Sequence, residues 1–352
     1  WRHRAGVSIG VCGNYHDASH SGAFSCNGRI NMQRISISVW WALCLTMMFG
    51  AANAQSDDQH LVLTSLQATY SIATALSKDT QIHIVNVPTQ AAVMDSQAFA
   101  LTRVDDAVFK QAEAVVTISK LWREDPLYPA ARARNIRIIN IDASFPWSAA
   151  DAGVGVMRKP VNNVPWDTQH STDEVSLSRY FWLSSANAIR MAELIAADLV
   201  RLSPKDAPQI QSNLLAFTIS VRQLSAEYGA RFAMLADPRV FSLADEFVYL
   251  LADLGIYVDG WFIKQDVNWS EADAAALTNY LKSHDIKVVV HKWMPDEKIK
   301  AAITQADATL VILDAGDPGP AINSATAPEA YQALMRANME NLLHAFGASL
   351  NQ

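Results

Sequence analysis

Cysteine is scarce in this chain and is confined to one end of it. The 352 residues contain 3 cysteines, and all of them, Cys12, Cys26 and Cys44, precede residue 45. The remaining chain can form neither a disulfide nor a thiolate metal site.

The chain also has no excess of basic residues, because the formal net charge is −7 and no Lys/Arg run stands out. Nucleic-acid binding therefore has no electrostatic support.

Catalytic and nucleotide-binding motifs are missing as well. There is no G-x-S-x-G and no P-loop, and Gly153 and Gly155 lack the third glycine of a dinucleotide motif. The histidines form neither H-x-H nor H-E-x-x-H. Neighbouring acids such as Asp245 and Glu246 point to different faces of a helix and make no general acid–base pair. We predict that the protein is not an enzyme.

The chain also lacks long hydrophobic runs. Its longest apolar stretch has an interpretation other than a membrane span. The apolar run over 35–49 is too short to span a membrane comfortably. It follows a short basic stretch after Met32 and leads to small residues ending at Ala54. This order is typical of a secretory signal peptide. We predict upstream non-native sequence over 1–31, a signal peptide over 32–54 that is cleaved after Ala54, and a periplasmic mature protein.

Beyond residue 60, short apolar runs alternate with amphipathic helical stretches. Strand patterns cover 61–65, 82–87, 114–119, 136–141, 240–243, 256–261, 286–290 and 309–313. Strands that alternate with helices at this spacing predict βαβ units and mostly parallel sheets. The sequence thus predicts an α/β fold with an N-terminal lobe over 55–206, one long linking helix over 207–233 and a C-terminal lobe over 234–352.

A family resemblance rests on several of these segments. They are the RYFWL run at 179–183 before a helix, the long helix at 207–233, the stretch 273–290 leading to 311–314, and the closing helix at 331–343. In this order and spacing, the chain after residue 54 resembles the periplasmic solute-binding proteins of zinc/manganese ABC transporters. The resemblance implies two lobes that hold a metal ion in the cleft between them, and a permease partner in the inner membrane.

The resemblance also implies particular ligand positions. The family holds its metal with three histidines, one of which is sometimes glutamate, and one aspartate, each in a loop near a strand end. These positions correspond to Gln97, Tyr180, Ala244 and Asp314 in this chain. Only Asp314 retains the family's residue type, so the resemblance predicts Asp314 as the metal-binding residue. Gln97 and Tyr180 are then predicted to bind ligand as hydrogen-bond partners.

Other polar residues lie near these positions in the sequence. Glu246 follows the 240–243 strand, and His291 follows the 286–290 strand directly. An oxygen-rich set of Asp95, Gln97, Glu246 and Asp314 would suit a harder ion such as Mn²⁺ or Mg²⁺. The predicted ligand-binding set is Gln97, Tyr180, Glu246, His291 and Asp314.

The expected function is capture of a metal ion or metal complex, with zinc or manganese as cargo, for delivery to an ABC permease. Gln and Tyr replace imidazole poorly, so we expect weak binding of free zinc. Two alternatives stay open, namely a cleft for a non-metal small solute and a ligand-free or adhesin-like accessory protein of the same fold. No nucleic-acid partner is expected.

Overall fold

The computed structural model describes residues 59–89, 92–148, 150–167, 176–318 and 327–350. The predicted upstream sequence and signal peptide, 1–31 and 32–54, lie outside these described residues. Among the helices within these ranges, none is long and apolar enough to cross a membrane.

The first lobe is built on a four-stranded parallel sheet. Its strands are β1 (His60–Thr64), β2 (Ile82–Asn86), β3 (Ala114–Thr117) and β4 (Ile139–Asp142), in the order β2-β1-β3-β4. Its helices are α1 (Gln67–Leu76), α2 (Gln97–Leu101), α3 (Asp106–Gln111) and α4 (Leu127–Arg132). All four residues of β3 are buried, as expected for a central strand covered on both faces.

Two helices lead from the first lobe to the second. They are α5 (Ser185–Leu202) and α6 (Ala207–Phe232). Ser184 caps α5 by accepting a hydrogen bond from the Asn187 N–H. The single long helix predicted over 207–233 is confirmed, and it ends one residue earlier than predicted. It buries Ile210, Phe217, Val221, Leu224, Tyr228 and Phe232 on one face.

The second lobe repeats the architecture of the first. Its strands are β5 (Arg239–Ser242), β6 (Tyr257–Trp261), β7 (Val288–His291) and β8 (Thr309–Ile312), in the parallel order β6-β5-β7-β8. Its helices are α7 (Val248–Asp253), α8 (Glu271–Ser283), α9 (Glu297–Gln305) and α10 (Ala330–Leu350). The predicted α/β fold of two lobes with parallel sheets is therefore confirmed.

The strand order decides where a ligand site is expected. In the first sheet, β2 lies on one side of β1 and β3 lies on the other. In the second sheet, β6 lies on one side of β5 and β7 lies on the other. The loops after β1 and β3, and those after β5 and β7, therefore diverge and leave a crevice at the carboxyl ends of the strands. The loops after β2, β5 and β8 carry most of the candidate residues.

The segment between β4 and α5, which lacks periodicity in the sequence, crosses to the second lobe. The Asn163 side chain accepts a hydrogen bond from the Trp261 N–H at 2.7 Å. Trp166 stacks on Phe241 with ring centroids 6.3 Å apart, and its edge meets Phe262 at 5.4 Å. Residues around Trp166 thus complete the core of the second lobe, although the predicted division assigns them to the 55–206 lobe.

Asp125 ties the end of β3 to the start of α4. Its carboxylate accepts hydrogen bonds from the backbone N–H groups of Ile118 and Leu127, both at 3.0 Å. Burial raises the pKa of Asp125 to about 6, above the ordinary value of 3.8, and the hydrogen bonds only partly offset this. Because the folded-state pKa is the higher one, the folded protein binds this proton more tightly than the unfolded chain does.

This shift predicts a specific dependence of stability on pH. The stabilising contribution of Asp125 is present below its unfolded-state pKa and is lost as the pH rises through about 6. Relative to Asp125→Asn, the wild type should lose roughly 2 kcal/mol of unfolding free energy between about pH 4 and about pH 7. Urea unfolding of both proteins across this range measures the difference. Parallel stability profiles would contradict the assignment.

Candidate functional site

Asp317 connects three segments at the centre of the candidate site. Its Oδ1 accepts a hydrogen bond from the Met94 N–H at 2.8 Å. Its Oδ2 accepts one from the Tyr180 hydroxyl at 3.2 Å. Met94 follows β2, Tyr180 precedes α5 and Asp317 follows β8, so this carboxylate joins loops from both lobes.

Burial shifts both side chains of the Tyr180–Asp317 pair towards their protonated forms. It raises the pKa of Tyr180, and the negative charges of Asp317 and Glu246 raise that pKa further. Burial likewise raises the pKa of Asp317, against the opposing effect of its two hydrogen bonds. In this arrangement the phenol is a hydrogen-bond donor to Asp317 at neutral pH.

Two glutamine side chains at helix starts present oxygen atoms without partners. Gln97, the first residue of α2, is 1% exposed, and its Nε2 donates to the Ser65 carbonyl at 2.9 Å. Gln97 Oε1 is buried and accepts no hydrogen bond. Gln67, the first residue of α1, also has a buried Oε1 that accepts no hydrogen bond. A buried acceptor without a donor costs about 1–3 kcal/mol, so both oxygens favour a bound donor or cation.

Gly316 gives the loop after β8 its shape. Its φ of +70° lies in the left-handed region. A Cβ at this position would lie 3.1 Å from Leu334 Cδ2, 3.6 Å from Trp182 Nε1 and 3.8 Å from Gln67 Oε1. The backbone turns here and passes close to the first lobe, which brings the next residue, Asp317, to Tyr180.

Gly316→Ala should therefore destabilise the protein more than a matched glycine change. Gly255 has nearly the same φ, +68°, but nothing lies within 4 Å of its added Cβ. Gly255→Ala should cost about 1–2 kcal/mol from backbone strain alone. Gly316→Ala should cost roughly 1 kcal/mol more, because Leu334 must also move. Urea unfolding midpoints compare the two variants, and equal losses would show that the close approach has no energetic consequence.

Asp314, the predicted metal-binding residue, helps to form the turn after β8. Its side chain is exposed, and its Oδ1 accepts a hydrogen bond from the Gly316 N–H at 2.7 Å. Its backbone is held by Asn338 of α10, which pairs with its N–H at 2.8 Å and its carbonyl at 2.7 Å. Asp314 thus holds the turn, whereas the carboxylate beside Tyr180 is that of Asp317. Its role as a metal ligand stays a prediction, and Asp317 is the residue that sequence reasoning missed.

The loop after β5 contributes a buried acid. Glu246 is 3% exposed; its Oε1 forms an ion pair with Lys292 Nζ, and its Oε2 is buried without a partner. Burial, together with the charge of Asp245, raises the pKa of Glu246. Asp245 pairs with Lys159 at 3.0 Å. Ala244, the implied third histidine position, is buried and offers no side-chain ligand atom.

His291 is directed into the second lobe. It is 2% exposed, and its Nδ1 accepts a hydrogen bond from the Lys292 N–H at 2.7 Å. Its Nε2 lies 3.5 Å from Asp266 Oδ1. Burial lowers the pKa of His291, so the imidazole is neutral at neutral pH. These contacts give His291 a structural role in holding the loop after β7, apart from the Tyr180–Asp317 pair.

An ion pair lies at the edge of the site. Both terminal nitrogens of Arg179 lie 3.3 Å from Asp95 Oδ1. The Asp95 side chain is 81% exposed, so this pair is open to solvent and adds little stability. Asp95 therefore enters the site as a partner of Arg179 and not as a free carboxylate.

The donor set does not match a closed metal site. Across the part of the chain that the structure describes, no group of three or more His, Cys, Asp or Glu side chains is placed to hold a metal ion. Around Tyr180 the structure brings together Asp317 and Glu246, and Gln67 Oε1 approaches the neighbouring Gly316. These groups supply carboxylate and amide oxygens, whereas zinc prefers imidazole or thiolate.

Comparison with known proteins identifies the family. The sequence model of the periplasmic zinc-uptake complex component A, ZnuA, matches residues 62–345. The chain belongs to this family. The resemblance to metal-uptake solute-binding proteins is therefore confirmed over most of the chain. No curated protein matches the chain significantly.

Solved structures share the fold of this ZnuA-family chain. The Pseudomonas aeruginosa protein FpvC, as a mutant, has a TM-score of 0.65 at 18% identity, covering 82% of this chain and 99% of its own. FpvC in complex with Mn²⁺ has a TM-score of 0.63 at 18% identity, covering 83% and 100%. The laminin-binding adhesin of Streptococcus agalactiae, as a mutant, has a TM-score of 0.61 at 19% identity, covering 81% and 98%. At these identities the similarity establishes the fold.

Membership in the ZnuA family leaves the ligand residues as predictions. Of the five predicted residues, Tyr180 lies close enough to Glu246 for their charges to interact, and Gln97 bonds the Ser65 carbonyl. His291 contacts Asp266, and Asp314 bonds the Gly316 N–H. The signal that points to Asp317 is its place after Gly316 in a turn that follows the last strand. Only the turn's geometry distinguishes it from Asp314.

Proposed function

We propose that this protein is the periplasmic binding component of a metal-uptake transporter. It captures a metal ion or a metal complex between its two lobes and delivers it to an ABC permease in the inner membrane. It performs no catalysis. The ZnuA family assignment supports this proposal, as does the Mn²⁺ complex of a structural relative.

The observation that carries the proposal is the position of Asp317. Its carboxylate lies where loops from both lobes meet, hydrogen-bonded to Met94 on one side and Tyr180 on the other. Both of these partners are uncharged donors, so no cationic side chain is bonded to Asp317 and its carboxylate can pair with a cationic ligand. A ligand bound here would contact both lobes and would favour their closed arrangement.

The test compares two acids of the same loop. Wild type, Asp317→Asn and Asp314→Asn are purified from the periplasm without chelators or histidine tags, and their metal content is measured by elemental analysis. We expect near-stoichiometric metal in the wild type and in Asp314→Asn, and its loss in Asp317→Asn. Metal loss in Asp314→Asn alone would restore Asp314 as the ligand, and a metal-free wild type would refute metal capture.

We also propose that residues 32–54 direct export and are removed after Ala54. The family description as periplasmic supports this proposal. The mass of the intact protein from the periplasm should correspond to a chain that begins at Gln55. A periplasmic protein that retains residues 32–54, or a full-length protein that stays in the cytoplasm, would contradict it.

A further inference from the structure

The acids of the candidate site are already neutralised by cationic side chains, with one exception. The pairs are Asp95 with Arg179 at 3.3 Å, Asp245 with Lys159 at 3.0 Å, and Glu246 with Lys292. Of these four acids, Asp317 is the one bonded to uncharged donors. Asp314 of the same loop is also bonded to an uncharged donor, the Gly316 N–H, but its side chain is exposed. Together with the three cationic side chains, the four acids leave about one net negative charge. A bare divalent cation would bring two positive charges into a space that already contains three cationic side chains.

Three buried oxygen atoms on residues that follow β1, β2 and β5 lack hydrogen-bond donors. They are Gln67 Oε1, Gln97 Oε1 and Glu246 Oε2. Each residue is more than nine-tenths buried. An amide oxygen is a weak ligand for a transition metal, but it is a good acceptor for an N–H or O–H group. These oxygens consequently match the donors of an organic molecule better than they match a metal ion.

We propose that the cleft recognises an organic solute that presents N–H or O–H donors and carries no more than one net positive charge, in preference to a bare divalent cation. This inference rests on the proposed function and specifies its cargo. Two kinds of solute have this chemistry. One is a metal ion already bound by a small organic chelator, and the other is a free organic amine or amide. Asp317 supplies the negative charge, and the glutamine oxygens accept from the solute's donors.

The experiment uses three defined probes on the full mature protein. They are Zn²⁺ alone, the neutral bis-histidine complex of zinc, and histidine alone, each titrated by calorimetry after removal of bound cargo. The complex should bind at least about ten-fold more tightly than Zn²⁺ alone. If histidine alone binds as tightly as its zinc complex, the inference is supported, and the solute is a free organic molecule.

A matched pair of variants tests the role of the unpartnered oxygens. Gln97→Leu removes one such oxygen, and binding of the zinc–histidine complex should weaken about ten-fold. Gln332→Leu removes another buried unpartnered amide oxygen, but Gln332 lies on α10 and bonds Ser220 of α6 at 2.7 Å, behind the cleft. Its binding should match the wild type. Equal effects of the two changes would overturn the proposed contact.

A second variant tests the charge argument independently of whether Gln97→Leu folds. Lys292→Gln leaves the Glu246 carboxylate without its cation, so affinity for bare Mn²⁺ should rise about ten-fold. Lys298→Gln removes a lysine that pairs with the exposed Glu271 at 3.2 Å, and it should leave Mn²⁺ affinity unchanged. An unchanged affinity in Lys292→Gln would overturn the charge argument.

The outcomes separate this inference from the proposed function. If Zn²⁺ alone binds as tightly as its histidine complex, the proposed preference for an organic solute is wrong, but the proposal of metal capture is unaffected. If none of the three probes binds, and the periplasmic protein also carries no metal, both the inference and the proposed function are overturned.

Discussion

Replacing Gln97, Tyr180 and Ala244 together by histidine is expected to raise the affinity for Zn²⁺ by at least about a thousand-fold. The family resemblance assigns these three positions to metal-binding histidines. In the present chain they carry an amide, a phenol and a methyl group. Three imidazoles and one carboxylate would complete the tetrahedral set that zinc prefers. Removal of the Tyr180 hydroxyl would also release the Asp317 oxygen to which it donates.

The same triple variant distinguishes the two acids of the loop after β8. Adding Asp317→Asn should reduce zinc affinity about a hundred-fold, because it removes the fourth ligand. Adding Asp314→Asn should reduce affinity less, since Asp314 Oδ1 accepts the Gly316 N–H and only Oδ2 is left for a ligand. Competition with a fluorescent zinc chelator measures all three proteins. A triple variant without gained affinity would mean that the four positions do not converge, and the reverse order of the two Asn changes would favour Asp314.

Trp182→Ala is expected to cause the largest loss of stability among single substitutions near the site. Trp182 is fully buried, and its Nε1 donates to the Ala315 carbonyl at 2.9 Å. Its own carbonyl accepts a hydrogen bond from the Tyr331 hydroxyl at 2.9 Å. Loss of this side chain should cost about 3–5 kcal/mol and lower Tm by on the order of 10 °C. Thermal and urea unfolding measure both quantities.

Matched controls separate packing from hydrogen bonding at Trp182. Trp147 is 71% exposed, so Trp147→Ala should change stability by no more than about 0.5 kcal/mol. Trp182→Phe keeps most of the apolar volume but leaves the Ala315 carbonyl without its donor, so it should cost about 1–3 kcal/mol. A Trp182→Ala protein as stable as Trp147→Ala would show that Trp182 does not hold the Ala315 segment to the core.

Local patterns predicted the regular elements closely. The strand expected over 240–243 is Arg239–Ser242, and the helix expected over 207–233 is Ala207–Phe232. Such patterns succeed because alternation and helical periodicity depend on residues that are neighbours in sequence. The parallel arrangement followed from the same alternation, since strands joined by helices pair in parallel.

The segment between β4 and α5 shows where local patterns are insufficient. It has no periodicity, so local patterns predict no regular element in it. In the structure, Asn163 bonds Trp261, and Trp166 packs among Phe241, Phe262 and Tyr280 in the other lobe. Burial of one large aromatic side chain by residues more than seventy positions away leaves no periodic trace in the sequence.

By itself, the sequence determined the class of this protein: an α/β chain of two similar lobes, with the family positions at 97, 180 and 244 occupied by residues that are poor zinc ligands. Only the tertiary structure shows how the two acids of the last loop are held. Asp314 Oδ1 bonds the Gly316 N–H in the turn, and the same turn carries Asp317 to Tyr180. The direction of a loop side chain depends on backbone dihedral angles and on contacts from distant segments, and neither is specified by the spacing of residues along the chain.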